Sequence, residues 1–308
     1  MTKANPTPAP QSEAGGALAG LGAYFLWGLL PLYFALLAPA TPLEIVASRI
    51  VWSLIFCLIL VFALKEWGTL KRVLSTKRSI LLLALAACLI ATNWLVYTFS
   101  VLNGQTVSAA LGYFINPLVS TFLGVVFLKE RLRPLQWIAV GFGILAVVVL
   151  TVGYGSLPII SLVLAFSFGL YGLVKNRLGH SITTTTGLTV ETMALVPFSV
   201  AYLIFLAASG QSTFNTEGPG HFLLLMASGI ITAVPLLFFG YAAQRLPLSV
   251  IGSMQYIAPA LQFVTAIWLF REEMPPERWW GFALVWIAIV ILTVDSVRNS
   301  SGLRRSKR

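Results

Sequence analysis

Histidine and cysteine are nearly missing from this chain of 308 residues, with two of each. Cys57 and Cys88 both lie in apolar runs, so no disulfide framework is available. Neither sits at metal-ligand spacing from His180 or His221, which fall at the ends of apolar segments. The phosphate-cradling GxxxxGK[ST], the zinc-binding HExxH and the nucleophile turn GxSxG are absent. Their absence removes direct ATP hydrolysis, zincin proteolysis and α/β-hydrolase chemistry. Charge is scarce as well: Asp, Glu, Lys and Arg make up 10% of the residues, and ten in all are acidic. Intramembrane chemistry by two carboxylates would need a second acid beside Glu191, and none is evident. No catalytic residue, metal or cofactor is expected.

What fills the chain instead is apolar: 58% hydrophobic residues and a mean hydropathy of +0.88. That balance suits a protein that crosses a lipid bilayer many times. The net charge of +10 does not point to nucleic acid, because no basic stripe is interleaved with aromatics. Crossing about 30 Å of hydrocarbon takes about 20 apolar helical residues. Ten such segments are present, at 17–38, 44–64, 79–99, 107–128, 135–152, 156–174, 187–208, 221–243, 248–270 and 279–297. Each must be helical, since lipid offers no partner to free backbone groups. Residues 1–16, rich in Pro and Ala and without a signal-peptide charge pattern, are expected as a disordered cytoplasmic tail. Residues 298–308 are expected as a basic cytoplasmic tail.

Residues 108–145 recur 142 positions later without a gap: Pro117 falls on Pro259, Lys129 on Arg271, Glu130 on Glu272, Pro134 on Pro276 and Trp137 on Trp279. The repeating units are 17–152 and 156–297, five spans each. A unit with an odd number of spans must cross the membrane in opposite senses in its two copies. The fold class expected is therefore all-α integral membrane, ten transmembrane helices as two inverted five-helix repeats. Duplication of this kind places a substrate site at mid-membrane between the halves. Counting Lys and Arg on alternate sides gives seventeen against two, Arg271 and Arg278, which puts both termini in the cytoplasm. The Arg271 loop is net negative through Glu272, Glu273 and Glu277.

Arg49 lies well inside the second span, and a charge there normally faces a cavity or a partner. Its repeat equivalent is Glu191 in the seventh span. One reading is a gate or substrate-anchoring pair, responsive to protons through Glu191. The plain alternative is a structural ion pair, or two charges snorkelling from helix ends. Glu44 and Asp295, near span ends, are expected to be solvated at the interface. Spans three and four hold a dense polar and aromatic set, Asn93, Trp94, Tyr97, Asn103, Ser108, Tyr113 and Asn116. Gln255, Tyr256 and Gln262 answer it in the second half. Pro117, Pro235 and Pro259 are candidate helix breaks that free a carbonyl. Each could instead serve only as a packing kink. Trp67, Trp137, Trp279 and Trp280 fit an interfacial belt, and Gly141, Gly143, Gly169 and Gly172 suit close helix packing.

RIVWS (49–53), NWLVYTF (93–99), NGQTVSAALGYFINPLVS (103–120), LKERLRPLQWIAV (128–140), SFGLYGLVK (167–175), ETMALVP (191–197) and VPLLFFGYAAQRLPLSVIGSMQYIAP (234–259) together form a pattern. In these segments the chain resembles the EamA branch of the drug/metabolite transporter superfamily, and within it the RarD-type permeases. One departure is the second copy of the loop, REEMPPERWW, which is more acidic than KERLRPLQW. The resemblance implies a ten-helix inverted-repeat fold in a bacterial plasma (inner) membrane, moving small metabolites; it assigns no ligand residues.

The function expected is secondary active transport of a small metabolite or drug-like solute by alternating access. The transport pathway would be lined by Arg49, Glu191, Asn93, Trp94, Tyr97, Tyr113, Asn116, Gln255 and Tyr256. A proton gradient is a candidate driving force, resting on Glu191. Spans five and ten would brace the halves or form a homodimer contact, and the partners are solute and lipid bilayer, not nucleic acid. The rival readings are a passive channel, which tends to use rings of charges or carbonyls from several subunits, and a non-transporting lipid-handling enzyme or receptor-like membrane protein.

Overall fold

The computed structural model describes residues 10–305, apart from 130, 179–181, 215, 244, 247–249 and 252–253. Among the described residues there are helices and no strands. In chain order they are α1 (Pro10–Gly28), α2 (Leu30–Ala35), α3 (Pro42–Ala63), α4 (Trp67–Leu74), α5 (Lys77–Leu102), α6 (Thr106–Leu128), α7 (Pro134–Tyr154), α8 (Ile159–Leu178), α9 (Thr184–Ala208), α10 (Pro219–Ala243), α11 (Ile257–Val264) and α12 (Pro276–Arg305). A π-helical turn, Thr265–Leu269, continues α11. Nine stretches of the described residues are long and apolar enough to span a bilayer, the first being α1 and α2 together; the ninth expected span is represented by the shorter apolar stretch Ile257–Leu269.

Two stretches expected as tails are partly helical. Residues 10–16 open α1 and residues 298–305 continue α12, while 1–9 and 306–308 lie outside the described residues. The stretch 65–78, between the second and third expected spans, contains α4. Leu70 and Val73, three apart and so on one helix face, are buried against Val61, Leu83 and Val190, and Lys71 and Arg72 stay exposed.

The repeat reaches down to caps and backbone angles. Thr41 and Thr183, equivalent positions, each accept a hydrogen bond at 3.2 Å from the third residue of the helix that follows, Glu44 N and Thr186 N. This satisfies one of the orphan donors at each helix start. Helices α5 and α10 begin at equivalent residues, as do α7 and α12. Lys129 and Arg271, also equivalent, both take left-handed backbone, with φ of 55° and 52°. Packing obeys the same relation. Helix α3 lies on α9 and α7 on α12; α6 meets α8 as α1 meets α11; α5 meets α8 as α1 meets α10. That is a bundle built on a pseudo-twofold axis.

Several polar side chains that read as loop or interface residues are built into the bundle. Glu44 and Asp295 are buried rather than solvated at a membrane surface. Glu44 Oε1 accepts from Thr213 N and Ser212 Oγ at 2.8 and 3.2 Å, and Asp295 pairs with Arg133 at 2.7 Å. Glu272 accepts from Thr106 N and Val107 N at 2.6 and 2.8 Å, holding a carboxylate at the start of α6. Its repeat equivalent Glu130 lies outside the described residues. Removing that carboxylate with Glu272→Ala should lower stability by about 1–2 kcal/mol, from lost capping and dipole complementarity. Thermal unfolding of the purified protein in detergent measures this, and an unchanged midpoint would show the contact to be idle.

Close approach of backbones occurs at glycines other than those expected. Nothing lies within 4 Å of where a Cβ would stand on Gly141 or Gly172, and Gly143 and Gly169 meet only side chains at shorter range than that. At Gly229 of α10 a Cβ would stand 2.5 Å from the Trp52 carbonyl oxygen of α3, and at Gly112 of α6 it would stand 2.7 Å from the Ser161 carbonyl oxygen of α8.

Candidate functional site

Helices α3 and α9 run antiparallel along the axis. Glu66, just after α3, accepts from Thr183 Oγ1 and Thr186 Oγ1 at the start of α9, at 2.7 and 3.0 Å. Ser212 and Thr213, after α9, bind Glu44 at the start of α3. Arg49 and Glu191 each occupy the eighth position of their helix, roughly 10 Å from its start at 1.5 Å per residue. Antiparallel helices then set the two charges towards opposite ends of the seam. Both are buried, at 4% and 1% exposure, so neither faces lipid.

Their surroundings differ. Glu191 is neutralised locally: Lys175 Nζ lies 2.6 Å from Oε1 and the Tyr171 hydroxyl donates to Oε2 at 3.2 Å. Lys175, one residue beyond the expected sixth span, is on α8, and its stem has room because Gly187 lacks a side chain; a Cβ there would stand 2.7 Å from Nζ. An Arg49–Glu191 ion pair is therefore not formed. The repeat equivalent of Lys175 is Tyr33, so the counter-charge that serves Glu191 has no counterpart beside Arg49.

Among the described residues Arg49 makes no ion pair. Its Nε donates to Thr232 Oγ1 of α10 at 2.6 Å, and that hydroxyl in turn donates to the Ser228 carbonyl at 2.7 Å. The guanidinium carbon lies 4.5 Å from the Trp94 ring centroid and 5.4 Å from that of Phe34. An arginine mid-helix costs about 2.5–3.5 kcal/mol on insertion scales. Desolvated cation–π contacts return about 2 kcal/mol. Nη1 is buried with no acceptor. Around it, Phe34 and Tyr97 rings pack edge-on at 5.9 Å, and Tyr97 and Tyr113 at 5.5 Å. The hydroxyls of Tyr33, Tyr97 and Tyr113 all lie within electrostatic reach of the guanidinium. Tyr113 donates to Asn93 Oδ1 at 2.8 Å, while Asn93 Nδ2 donates to the Leu164 carbonyl and Ser167 Oγ, each at 3.0 Å. Tyr33 donates to the Leu224 carbonyl at 2.5 Å. Tyr97 Oη is buried and unpartnered.

Of the residues expected along a pathway, Arg49, Asn93, Trp94, Tyr97 and Tyr113 thus form one cage. Asn116 is buried one turn beyond Tyr113 on α6, with Oδ1 unpartnered. Glu191 belongs to the separate Lys175 cluster. Gln255 and Tyr256 are half-buried in the turn ahead of α11, where Tyr256 packs against the Val107–Ile289 cluster. Pro117 and Pro235 sit inside unbroken helices and act as missing donors, not breaks; Pro259 alone of the three follows an interruption, in the first turn of α11. Tyr33, Phe34 and Thr232 were not foreseen. The first two follow the break between α1 and α2, and Thr232 stands three residues before Pro235, but a lone hydroxyl or ring in an apolar run carries no signal of its own.

Comparison with known proteins bears on the whole chain. The model of the EamA-like transporter family matches residues 14–152 and 156–294, two stretches offset by 142 residues. Protein RarD of Streptomyces exfoliatus is 50% identical, over 97% of this chain and 93% of its own length. Protein RarD of Escherichia coli (strain K12) is 42% identical, over 92% of this chain and 95% of its own length. A solved crystal structure at 16% identity aligns with a TM-score of 0.60, covering 91% of this chain and 98% of that one, and speaks to the fold alone.

Proposed function

This multi-pass membrane transporter belongs to the EamA-like transporter family, and from that premise we propose that it is a secondary carrier working by alternating access. It moves a small metabolite or drug-like solute across a bacterial inner membrane, with both termini cytoplasmic. The solute is held beside Arg49, between the halves.

One observation carries this reading. The α3–α9 seam is closed at its two ends by two separate carboxylate latches, Glu66 on Thr183 and Thr186, and Glu44 on Ser212 and Thr213. A carrier must release one end while the other stays shut, and two independent polar latches on one rigid seam suit that rocking motion better than an open pore. The excess of Lys and Arg on the side of the Glu66 latch supports a cytoplasmic position for it. Helices α7 and α12, packed on each other, brace the halves.

Glu66→Gln weakens one charge-assisted latch, an effect of about 1–2 kcal/mol, or roughly tenfold in the balance between inward- and outward-open forms. In a cysteine-free background, labelling of Ile182→Cys should rise several-fold and that of Phe214→Cys should fall; Glu44→Gln should do the reverse. Equal changes at both ends would remove the two-latch mechanism. Saturable counterflow in proteoliposomes distinguishes the carrier from a channel, which would show unsaturable conductance.

A further inference from the structure

We propose that the Arg49 cage binds the carboxylate, or an equivalent singly charged oxyanion, of an organic solute with an apolar body; as a transport site, this rests on the carrier reading above. Arginine keeps its charge in any protein setting, so the cage holds a permanent cation. Its guanidinium carbon lies over the Trp94 and Phe34 rings, and its Nε is bound to Thr232. Nη1 is left as a buried donor with nothing to accept from it.

The surrounding hydroxyls narrow what could fill that place. Tyr33 and Tyr113 spend their protons on the Leu224 carbonyl and Asn93. Tyr97, whose ring touches those of Phe34 and Tyr113, has a buried hydroxyl with no partner. Two unmet donors in one aromatic cage suit a two-oxygen acceptor. A single positive charge suits a monoanion, because a dianion such as phosphate would leave a charge uncompensated. The repeat supplies the contrast. At the equivalent position the bundle neutralises Glu191 from within, through Lys175; at Arg49 it leaves the counter-ion to come from outside. Ring walls favour an apolar body next to the charged head.

Benzoate and its neutral isostere benzamide are the probes, with thermal shift and equilibrium binding measured on the purified full chain in detergent. Benzoate should stabilise and bind the native protein, and benzamide should do neither. Tyr97→Phe, which removes a hydroxyl that makes no bond in the fold, should weaken benzoate about tenfold. Arg49→Gln should erase the preference for the acid. Should Arg49→Gln fail to fold, Tyr97→Phe still decides. Equal binding of acid and amide, or native benzoate affinity in Tyr97→Phe, overturns the proposal. Selective benzoate binding without counterflow of any carboxylate would remove the carrier reading and leave the site standing. Counterflow blind to charge and to Tyr97→Phe would do the opposite.

Discussion

Replacing Lys175 with methionine is expected to destabilise the protein by about 3 kcal/mol, more than Glu191→Gln does. Removing one partner of a buried ion pair strands the other charge, which costs about 3–5 kcal/mol. Lys175 keeps 31% side-chain exposure against 1% for Glu191, so the lower end of that range applies to the pair. The asymmetry follows from the same numbers. Without Lys175 the carboxylate is left inside the bundle with the Tyr171 hydroxyl alone, whereas without the carboxylate the lysine can turn its ammonium to the surface. The double variant Lys175→Met with Glu191→Gln should recover much of the loss, because no unpaired charge is then buried. Unfolding midpoints in detergent for the three variants test this; a Lys175→Met protein as stable as Glu191→Gln would show the pair to be incidental. The same variants bear on proton coupling, since a glutamate held by a cation is a poorer proton carrier than an unpaired one, and pH-dependent counterflow that survives in Glu191→Gln would remove it from that role.

Gly229→Ala is expected to cost about 2–3 kcal/mol, the upper part of the range for overpacking a close contact. The added methyl would stand 2.3–2.6 Å from three backbone atoms of Trp52 and Ser53, and backbone cannot turn aside as a side chain can. The helices must separate. Ser53 lies one turn beyond Arg49 on α3 and Gly229 one turn before Thr232 on α10, so separation there also draws Thr232 away from Arg49 Nε. Stability and benzoate binding should fall together. Gly141→Ala provides the control: nothing lies within 4 Å of its Cβ position, and alanine in a helix gains up to about 1 kcal/mol over glycine. Equal unfolding midpoints for the two variants would mean that the α3–α10 contact is looser than its geometry.

The two cases show where legibility ends. Gly141 and Gly229 are both glycines in apolar helices, and spacing alone pointed to the wrong one. Which glycine meets backbone depends on the rotation of a neighbouring helix, a quantity that helical periodicity does not contain. Arg49 was legible as a buried charge because hydrocarbon tolerates so few of them. Its aromatic neighbours Trp94, Tyr97 and Tyr113 were legible because polar and aromatic residues crowd spans three and four. Phe34 and Thr232 were not, since an apolar helix offers many rings and hydroxyls that do nothing but pack. Glu44 and Asp295 misled for a related reason: closeness to a span end suggests water, but Ser212 and Thr213 cover the one and Arg133 pairs with the other, contacts between distant parts of the chain that only tertiary packing decides.

Span number, the inverted repeat and the lopsided distribution of Lys and Arg between alternate loops could be read from the residues alone, because a bilayer imposes a length, a polarity and a charge rule on each segment separately. Pairing was decided only by tertiary structure. Whether Arg49 meets Glu191, or each finds its own surroundings, depends on antiparallel helices setting equivalent residues at opposite ends of one seam, and on Lys175 reaching across from α8 to settle one charge while leaving the other open.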